Sequence, residues 1–516
     1  MARTLPACKS QDKPLILFAV TALWRVIPLF ILLLFAGSAI ARPALAGNRQ
    51  PLQAKRPSID YIFLFIGDGM GPAQVELAGR LLPEGARLAI TTFPVTGMAV
   101  TNSANRLITD SGAAGTALAT GFKTANGMIS VASNGRDTLM TIAEMARKRG
   151  MRTAIVSSVG IDNATPACFY AHNRDRENYY DIAIQMARSG FDYFGGGYAE
   201  GDFPEKRANT NAFRGSISEI MKRSGYRIAG NLKELSSIPS GTRCWAYGPY
   251  DRKAALAFDM DRKPGEPDLA AFTREGIRLL YNPGGFFMMV EGGKIDWACH
   301  ANDAAAAARD VQAFDAAVRE ALAFYRKHPS RTLIVVTADH ECGGLSLGNL
   351  LNGYTIRPEL LKHQRISSQR LAEKVSGWLQ AGNVSHTVVL DSIRVWYGLS
   401  ADATDRSMAL SPSEIDTLRA HYVESKPESF AATVTRMLDN RAGIGWASNA
   451  HTMTPVEVFA IGAGAENFSG MYDNTVIAKN MIRLARLGHH STGYGTGRKQ
   501  LKPKPATTPA HGKQPR

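Results

Sequence analysis

A single serine beside an acid, Thr109-Asp110-Ser111, opens a run of small residues that continues Gly112-Ala113-Ala114-Gly115-Thr116-Ala117-Leu118-Ala119-Thr120-Gly121. A hydroxyl in the first turn of a helix faces unsatisfied backbone N–H groups and the positive end of the helix dipole. Ser111 is therefore placed to meet an anion and to attack it. Asp-Ser-Gly is also the signature of an ordinary turn and helix cap. No general base stands near Ser111 in sequence, so its activation has to come from elsewhere, and a metal ion is one activator.

Acids and imidazoles with ligand spacing recur at four other places. Asp68 lies in Gly67-Asp68-Gly69-Met70-Gly71, directly after the apolar run Tyr61 to Ile66. Glu291 ends a second run, Phe286 to Val290, and is followed by Asp296 and His300, four apart and so on one face of a helical turn. Asp339 and His340 follow Thr332 to Val336, and His451 precedes Val456. One such pair is more often a cap or an ion pair. Four strand ends that all carry Asp, Glu or His are hard to account for as packing, because buried acids are costly unless they bind metal.

The elements that position these residues read as alternating strands and helices. The continuous apolar run at 61–66 reads as a strand buried on both faces, 152–157, 286–290, 332–336 and 456–461 read as further strands, and 137–149, 304–327 and 474–487 as helical. That alternation predicts an α/β fold, a doubly wound, mostly parallel central sheet flanked by helices, with its chemistry at the carboxyl ends of the strands. Residues 345–445 break the rhythm and are expected to form an inserted cap-like region.

Composition bounds the class. The 516 residues are 45% hydrophobic and 20% charged, an ordinary globular balance that excludes a membrane bundle or a disordered chain. The apolar run Val26 to Ala36 follows Lys9, Lys13 and Arg25 and precedes small residues, the layout of a signal peptide over residues 1–46; the apolar stretch Leu15 to Ala22 keeps an uncleaved anchor open. The expected location is therefore exported, periplasmic or extracellular, with no stable membrane insertion after cleavage. The net charge of +15 is concentrated at the ends: Arg3, Lys9, Lys13, Arg25 and Arg42 against Asp12, and Arg498, Lys499, Lys502, Lys504, Lys513 and Arg516 with no acid. The mild excess that remains suits anionic substrates and requires no nucleic acid. Residues 490–516, rich in Pro, Gly and Lys, read as a disordered basic tail. Cys168, Cys244, Cys299 and Cys342 remain after the signal, and small buried residues are the favoured reading over disulfides.

Taken together these motifs resemble the alkaline phosphatase family. The matching stretches are Phe65 to Gly71, Thr109-Asp110-Ser111, Gly121 to Gly127, Ala164-Thr165-Pro166-Ala167, Val290-Glu291-Gly292 with Asp296 and His300, Thr337-Ala338-Asp339-His340, and His451-Thr452. They run in family order through the presumed mature domain, 47–489. The resemblance implies two Zn2+ ions and one Mg2+ ion. Asp296, His300 and His451 would hold the first zinc, and Asp68, Asp339 and His340 the second, which also contacts Ser111. Magnesium would take Asp68, Thr165 and Glu291, a hard oxygen set. Arg176 falls where the family's phosphate-clamping arginine lies, with Arg174 as the neighbour it could be confused with. Small phosphate monoesters hydrolysed through a phosphoserine, and a homodimer, complete the implied picture.

Two departures stand out. Asn163 occupies a position near magnesium where relatives carry an aspartate or histidine, with Asp162 as a possible compensation. Trp297 replaces the lysine or histidine often found after the residue corresponding to Asp296, so a cationic contact to phosphate is expected to be missing. Among rivals, the sulfatase frame Cys/Ser-x-Pro-x-Arg is absent at Ser111. A phosphodiesterase of the same superfamily and a non-catalytic exported phosphate- or metal-binding protein remain as alternatives.

Overall fold

The computed structural model describes residues 59–207, 213–382 and 384–488. The expected signal peptide and the basic tail lie outside the described residues. Among those described, no helix is long and apolar enough to cross a membrane.

The strands are β1 (Tyr61–Ile66), β2 (Val95–Val100), β3 (Arg152–Ser157), β4 (Tyr193–Gly196), β5 (Arg227–Ala229), β6 (Cys244–Tyr247), β7 (Phe286–Glu291), β8 (Thr332–Thr337), β9 (Glu341–Cys342), β10 (Leu345–Leu347), β11 (Ile444–Trp446), β12 (His451–Thr452), β13 (Val456–Gly462) and β14 (Gly470–Asp473). Ten of them form one sheet in the order β14-β2-β13-β8-β1-β7-β3-β4-β6-β5. Only β13 runs antiparallel to its neighbours, so the sheet is mostly parallel, as the apolar runs predict.

β1, β7 and β8 are buried along their whole length because helices cover both faces. Phe63, Phe65, Phe286 and Phe324 interlock in their core at ring-centroid distances of 5.1 to 6.3 Å. Each such side chain contributes about 1.5–3 kcal/mol of burial, which makes this the part of the sheet least able to shift register.

Register then does the positioning. Ile66 pairs with Glu291 on one side and Thr337 on the other, and Ser157 pairs with Glu291 from beyond. Four parallel strands therefore end on one row, and the residues just past that row, Asp68, Asp339 and His340, come out on one rim with Glu291. β12 reaches the same rim by pairing antiparallel with β9, His451 opposite Cys342.

Gly196 ends β4 at a backbone φ of +115°, and a Cβ there would lie 1.8 Å from the carbonyl oxygen of Ser157. Gly196→Ala must therefore push β4 away from β3. Its expected effect is a loss of about 3 kcal/mol or more, read as a lowered midpoint in thermal or denaturant unfolding.

The helix expected over 137–149 begins only at Ile142. Thr141 and Glu144 form a capping box that starts it, while Asp137 closes a preceding turn by accepting from Asn134 at 2.6 Å. The region expected to be a cap runs between β10 and β11, which pair antiparallel. It is held to the sheet's helices by Asp303, whose carboxylate accepts from Gln364 (2.8 Å) and from the Ser368 amide (2.7 Å). The four described cysteines are buried and free, with no disulfide among them.

Candidate active site

Ser111 is the first residue of the helix Ser111–Thr120, whose ten residues are all buried. Small side chains are needed there because neighbours approach closely: a Cβ on Gly115 would stand 3.0 Å from the Cys168 sulfur. The cap is Asp110 rather than Ser111. Its Oδ1 accepts from the Ala113 amide at 2.9 Å, which leaves the Ser111 hydroxyl free to face the rim. The other oxygen of Asp110 accepts from Arg176 Nη1 at 3.1 Å and from the Gly127 amide at 3.0 Å. Arg176 is half-buried and lines the same cavity as Ser111, while Arg174 is exposed to solvent.

One atom gathers the first group. His340 Nε2 stands 3.1 Å from Ser111 Oγ, 3.3 Å from Asp68 Oδ1 and 3.3 Å from Asp339 Oδ2. Burial pushes the His340 imidazole down to about 4, so it is neutral near physiological pH and offers no charge to the two carboxylates. Burial and the field of neighbouring acids raise Asp68 well above its usual range, and burial followed by the charge of Asp296 raises Asp339 to about 6.

The second group is Asp296, His300 and His451. Asp296 Oδ2 is 3.3 Å from His300 Nε2, Asp296 Oδ1 is 3.6 Å from His451 Nε2, and the two imidazole Nε2 atoms are 3.2 Å apart. Each ring spends its Nδ1 on a backbone carbonyl, His300 on Asn449 (2.6 Å) and His451 on Thr109 (2.9 Å). Those bonds fix the tautomer that turns both Nε2 lone pairs inward. The arrangement is repulsive unless a cation or a proton lies between them. The side-chain bond from Asp296 raises His300 to about 9, burial and the neighbouring His340 lower His451 to about 4, and the three imidazoles overcome burial to hold Asp296 below the usual carboxylate range.

Glu291 is buried between these groups and the next strand. Ser157 hydrogen-bonds its Oε2, and burial raises its carboxyl to about 8. Thr165 Oγ1 is 3.4 Å from Asp68 Oδ2, on the same side. Asn163 uses its side-chain oxygen on the Ala164 amide (2.7 Å) and lines the cavity. Asp162 does not stand in for it: both its oxygens accept from the Glu200 and Gly201 amides, at 2.8 and 2.7 Å.

The donor set fits divalent cations. Asp68 Oδ1, Glu291 Oε1, Asp296 Oδ1, Asp339 Oδ2 and His340 Nδ1 are all buried without a hydrogen-bond partner. Ligand atoms of Asp68, Asp339 and His340 lie within 4.8 Å of one another, as do those of Asp296, His300, His451 and Cys342. Four buried carboxylates share one rim in which burial keeps His340 and His451 neutral, and this leaves negative charge that only cations or protons can offset.

All ten candidate residues thus come to one place. Sequence reading missed Ser157, Lys206, Glu200, Tyr179 and Lys253, which line or support the cavity. For Ser157 the signal lies in strand order, which brings it beside Glu291. For the others no local pattern distinguishes them from surface residues.

A doubly wound sheet that delivers a serine, an arginine, acids and imidazoles to the carboxyl ends of its parallel strands defines an α/β protein with a candidate catalytic rim of metal-ligand residues. Within that class, the alkaline phosphatase family model matches residues 59–487. The chain is 30% identical over 471 residues to alkaline phosphatase 4 of Bacillus subtilis, covering 88% of this chain and 94% of that one. It is 28% identical over 485 residues to alkaline phosphatase 3 of the same organism, covering 89% and 96%. The solved cold-active alkaline phosphatase of a psychrophilic Shewanella species superposes with a TM-score of 0.71 at 30% identity, over 82% of this chain and 99% of that one. This chain belongs to the alkaline phosphatase family, and it is a phosphoric monoester hydrolase.

Proposed function

We propose that the chain hydrolyses small phosphate monoesters through a phosphoserine formed on Ser111. In this reading Asp296, His300 and His451 hold one zinc ion, Asp68, Asp339 and His340 a second, and Asp68, Thr165 and Glu291 a magnesium ion. The observation that carries it is the convergence at His340 Nε2, where a helix-start hydroxyl stands 3.1 Å from an imidazole packed against two buried acids. When bound, the cations supply Lewis acidity, lowering the pKa of a nearby hydroxyl or water and offsetting charge on the phosphoryl and leaving oxygens.

The chain's own groups do the rest. The free amides at the start of the helix Ser111–Thr120 and the Arg176 fork orient the phosphoryl oxygens, with Asp110 holding both the helix start and the guanidinium. Asp110 also keeps Arg176 charged, raising an already high pKa. Ser111 Oγ, its proton passing to solvent, forms a bond to phosphorus while the bond to the alcohol oxygen breaks and that oxygen takes a proton from water. Water then cleaves the phosphoserine, Ser111 recovers its proton and phosphate departs. Because the side chains stand on strand ends fixed in register, orientation is in place before substrate arrives.

The test is turnover of an aryl phosphate monoester against an aryl phosphate diester at about pH 8 to 10, with zinc and magnesium supplied. Monoester hydrolysis faster by orders of magnitude is the expected result. Diester dominance would move the chain to a phosphodiesterase, and metal binding without turnover of either would leave a binding protein.

A further inference from the structure

The cavity that holds Ser111 has a volume of about 430 Å³, far more than a phosphate needs, and its outer part is lined by side chains with no place in the mechanism above. Three cations reach it. Arg176 is paired with Asp110 at 3.1 Å, and Lys206 is paired with Glu200 at 2.8 Å while its ammonium covers the ring of Tyr179 at 4.4 Å. The third, Lys253, has no ion pair among the described residues; its ammonium stands over the ring of Trp297, 5.0 Å from the centroid. Trp297 is the residue after Asp296, so that ring lines the cavity beside Asp296, His300 and His451, the residues that would hold the first zinc ion in the reading above.

The loop that carries Lys253 is held firmly. Asp251 accepts from the amides of Lys253 (2.8 Å) and Ala255 (3.1 Å), and its other oxygen is 3.7 Å from the buried ammonium of Lys294. Ala254 sits in the left-handed region at φ +57°, a conformation that alanine adopts only when its surroundings impose it. Its carbonyl accepts from the Tyr198 amide at 2.7 Å, which locks the turn against the end of β4. A strained, multiply bonded turn presents an exposed ammonium without an ion pair at the mouth of the site, beside a ring that the buried Lys294 ammonium also meets, at 4.5 Å from its centroid. An exposed lysine needs none of that support to stay solvated.

We propose that Lys253 and Trp297 form a leaving-group subsite that selects phosphate monoesters whose alcohol is aromatic and bears a second anionic group, a carboxylate, sulfonate or phosphate. The aromatic ring packs against the edge of Trp297, beside the ammonium that covers its face, and the anion meets Lys253. The cation expected to be missing at position 297 is thus supplied from another loop, and it serves the leaving group instead of the transferred phosphoryl group. This deepens the phosphomonoesterase reading and rests on it.

The experiment compares kcat and KM for phenyl phosphate and for the phosphate ester of 4-hydroxybenzoate, two esters of similar leaving-group acidity, in the metal-loaded wild type, Lys253→Met and Lys253→Arg. The readout is the ratio of the two kcat/KM values. In Lys253→Met that ratio is expected to fall by about tenfold in favour of phenyl phosphate, through KM for the carboxylated ester, and to be kept by Lys253→Arg. Raising the ionic strength is expected to lower the wild-type ratio in the same sense, because an exposed charge pair is screened. Turnover of both esters with a ratio that Lys253→Met leaves unchanged would overturn the subsite alone. Failure of the wild type to turn over either ester would overturn the phosphomonoesterase reading, and the subsite with it.

Discussion

Ser111→Ala is expected to lower kcat for an aryl phosphate monoester by about three to five orders of magnitude while the unfolding midpoint stays close to that of the wild type. Both halves follow from the same geometry. Ser111 is 4% exposed and its hydroxyl bonds only to His340, while the capping of its helix is done by Asp110. Removing the oxygen therefore deletes the nucleophile without uncapping the helix, and alanine suits a helix's first turn. Arg176, the helix amides and the ligand rim stay in place and can still orient phosphate, so a small residual hydrolysis by water is compatible with the reading. Acid quenching during turnover should trap phosphate on the wild-type serine and none on the variant. A variant that keeps most of its activity, or a wild type that never carries phosphate, would show that Ser111 is only a buried neighbour of His340.

How much of the fold and the site is legible in the sequence varies with the physics of each element. β1 is legible to the residue, because a strand covered on both faces leaves an uninterrupted apolar run with sharp ends, and β3 from the β-branched and apolar residues Thr153 to Val156 between Arg152 and Ser157. The acids and imidazoles are legible because a charged side chain placed directly after such a run enters a buried rim, where packing alone does not favour it. The start of the helix at Ile142 is not, since the choice between Asp137 and Thr141 as its first cap depends on which of them a turn consumes. β9 to β12 are two or three residues long and exist only as pairs, so their signal lies in the partner. His451 can be named from its motif, but the pairing of β12 with β9 that carries it to the rim cannot. Lys253 is invisible for a deeper reason. Its position depends on a left-handed alanine and on the distant Lys294, and neither leaves a local pattern.

Removing the metal ions is expected to abolish activity and to lower the unfolding midpoint, and Asp68→Asn is expected to reverse the order of stability between wild type and variant. Asp68, Glu291, Asp296 and Asp339 share one buried rim, and one oxygen of each has no hydrogen-bond partner. Bound cations stabilise the folded chain by mass action, about 2.7 kcal/mol per site at a hundredfold excess over Kd, so a chelator should lower the midpoint by several degrees. Without cations, burial and the acids around it hold the Asp68 carboxyl well above its usual range. A carboxyl whose folded-state pKa lies above its unfolded value weakens the fold progressively once pH passes about 4, and at about pH 8 that penalty is large. Asn has the same shape and no titration, so in chelator at about pH 8 the variant should unfold at a higher temperature than the wild type. With zinc and magnesium added the order should invert, because the wild type gains cations that the variant binds poorly, and the variant's kcat should be lower by about a thousandfold or more. Unfolding curves of the two proteins, each with chelator and with metals, decide the matter. If neither addition moves the wild-type midpoint, the rim is a set of ordinary buried acids kept neutral by protons, and the metal-dependent reading of the site fails with it.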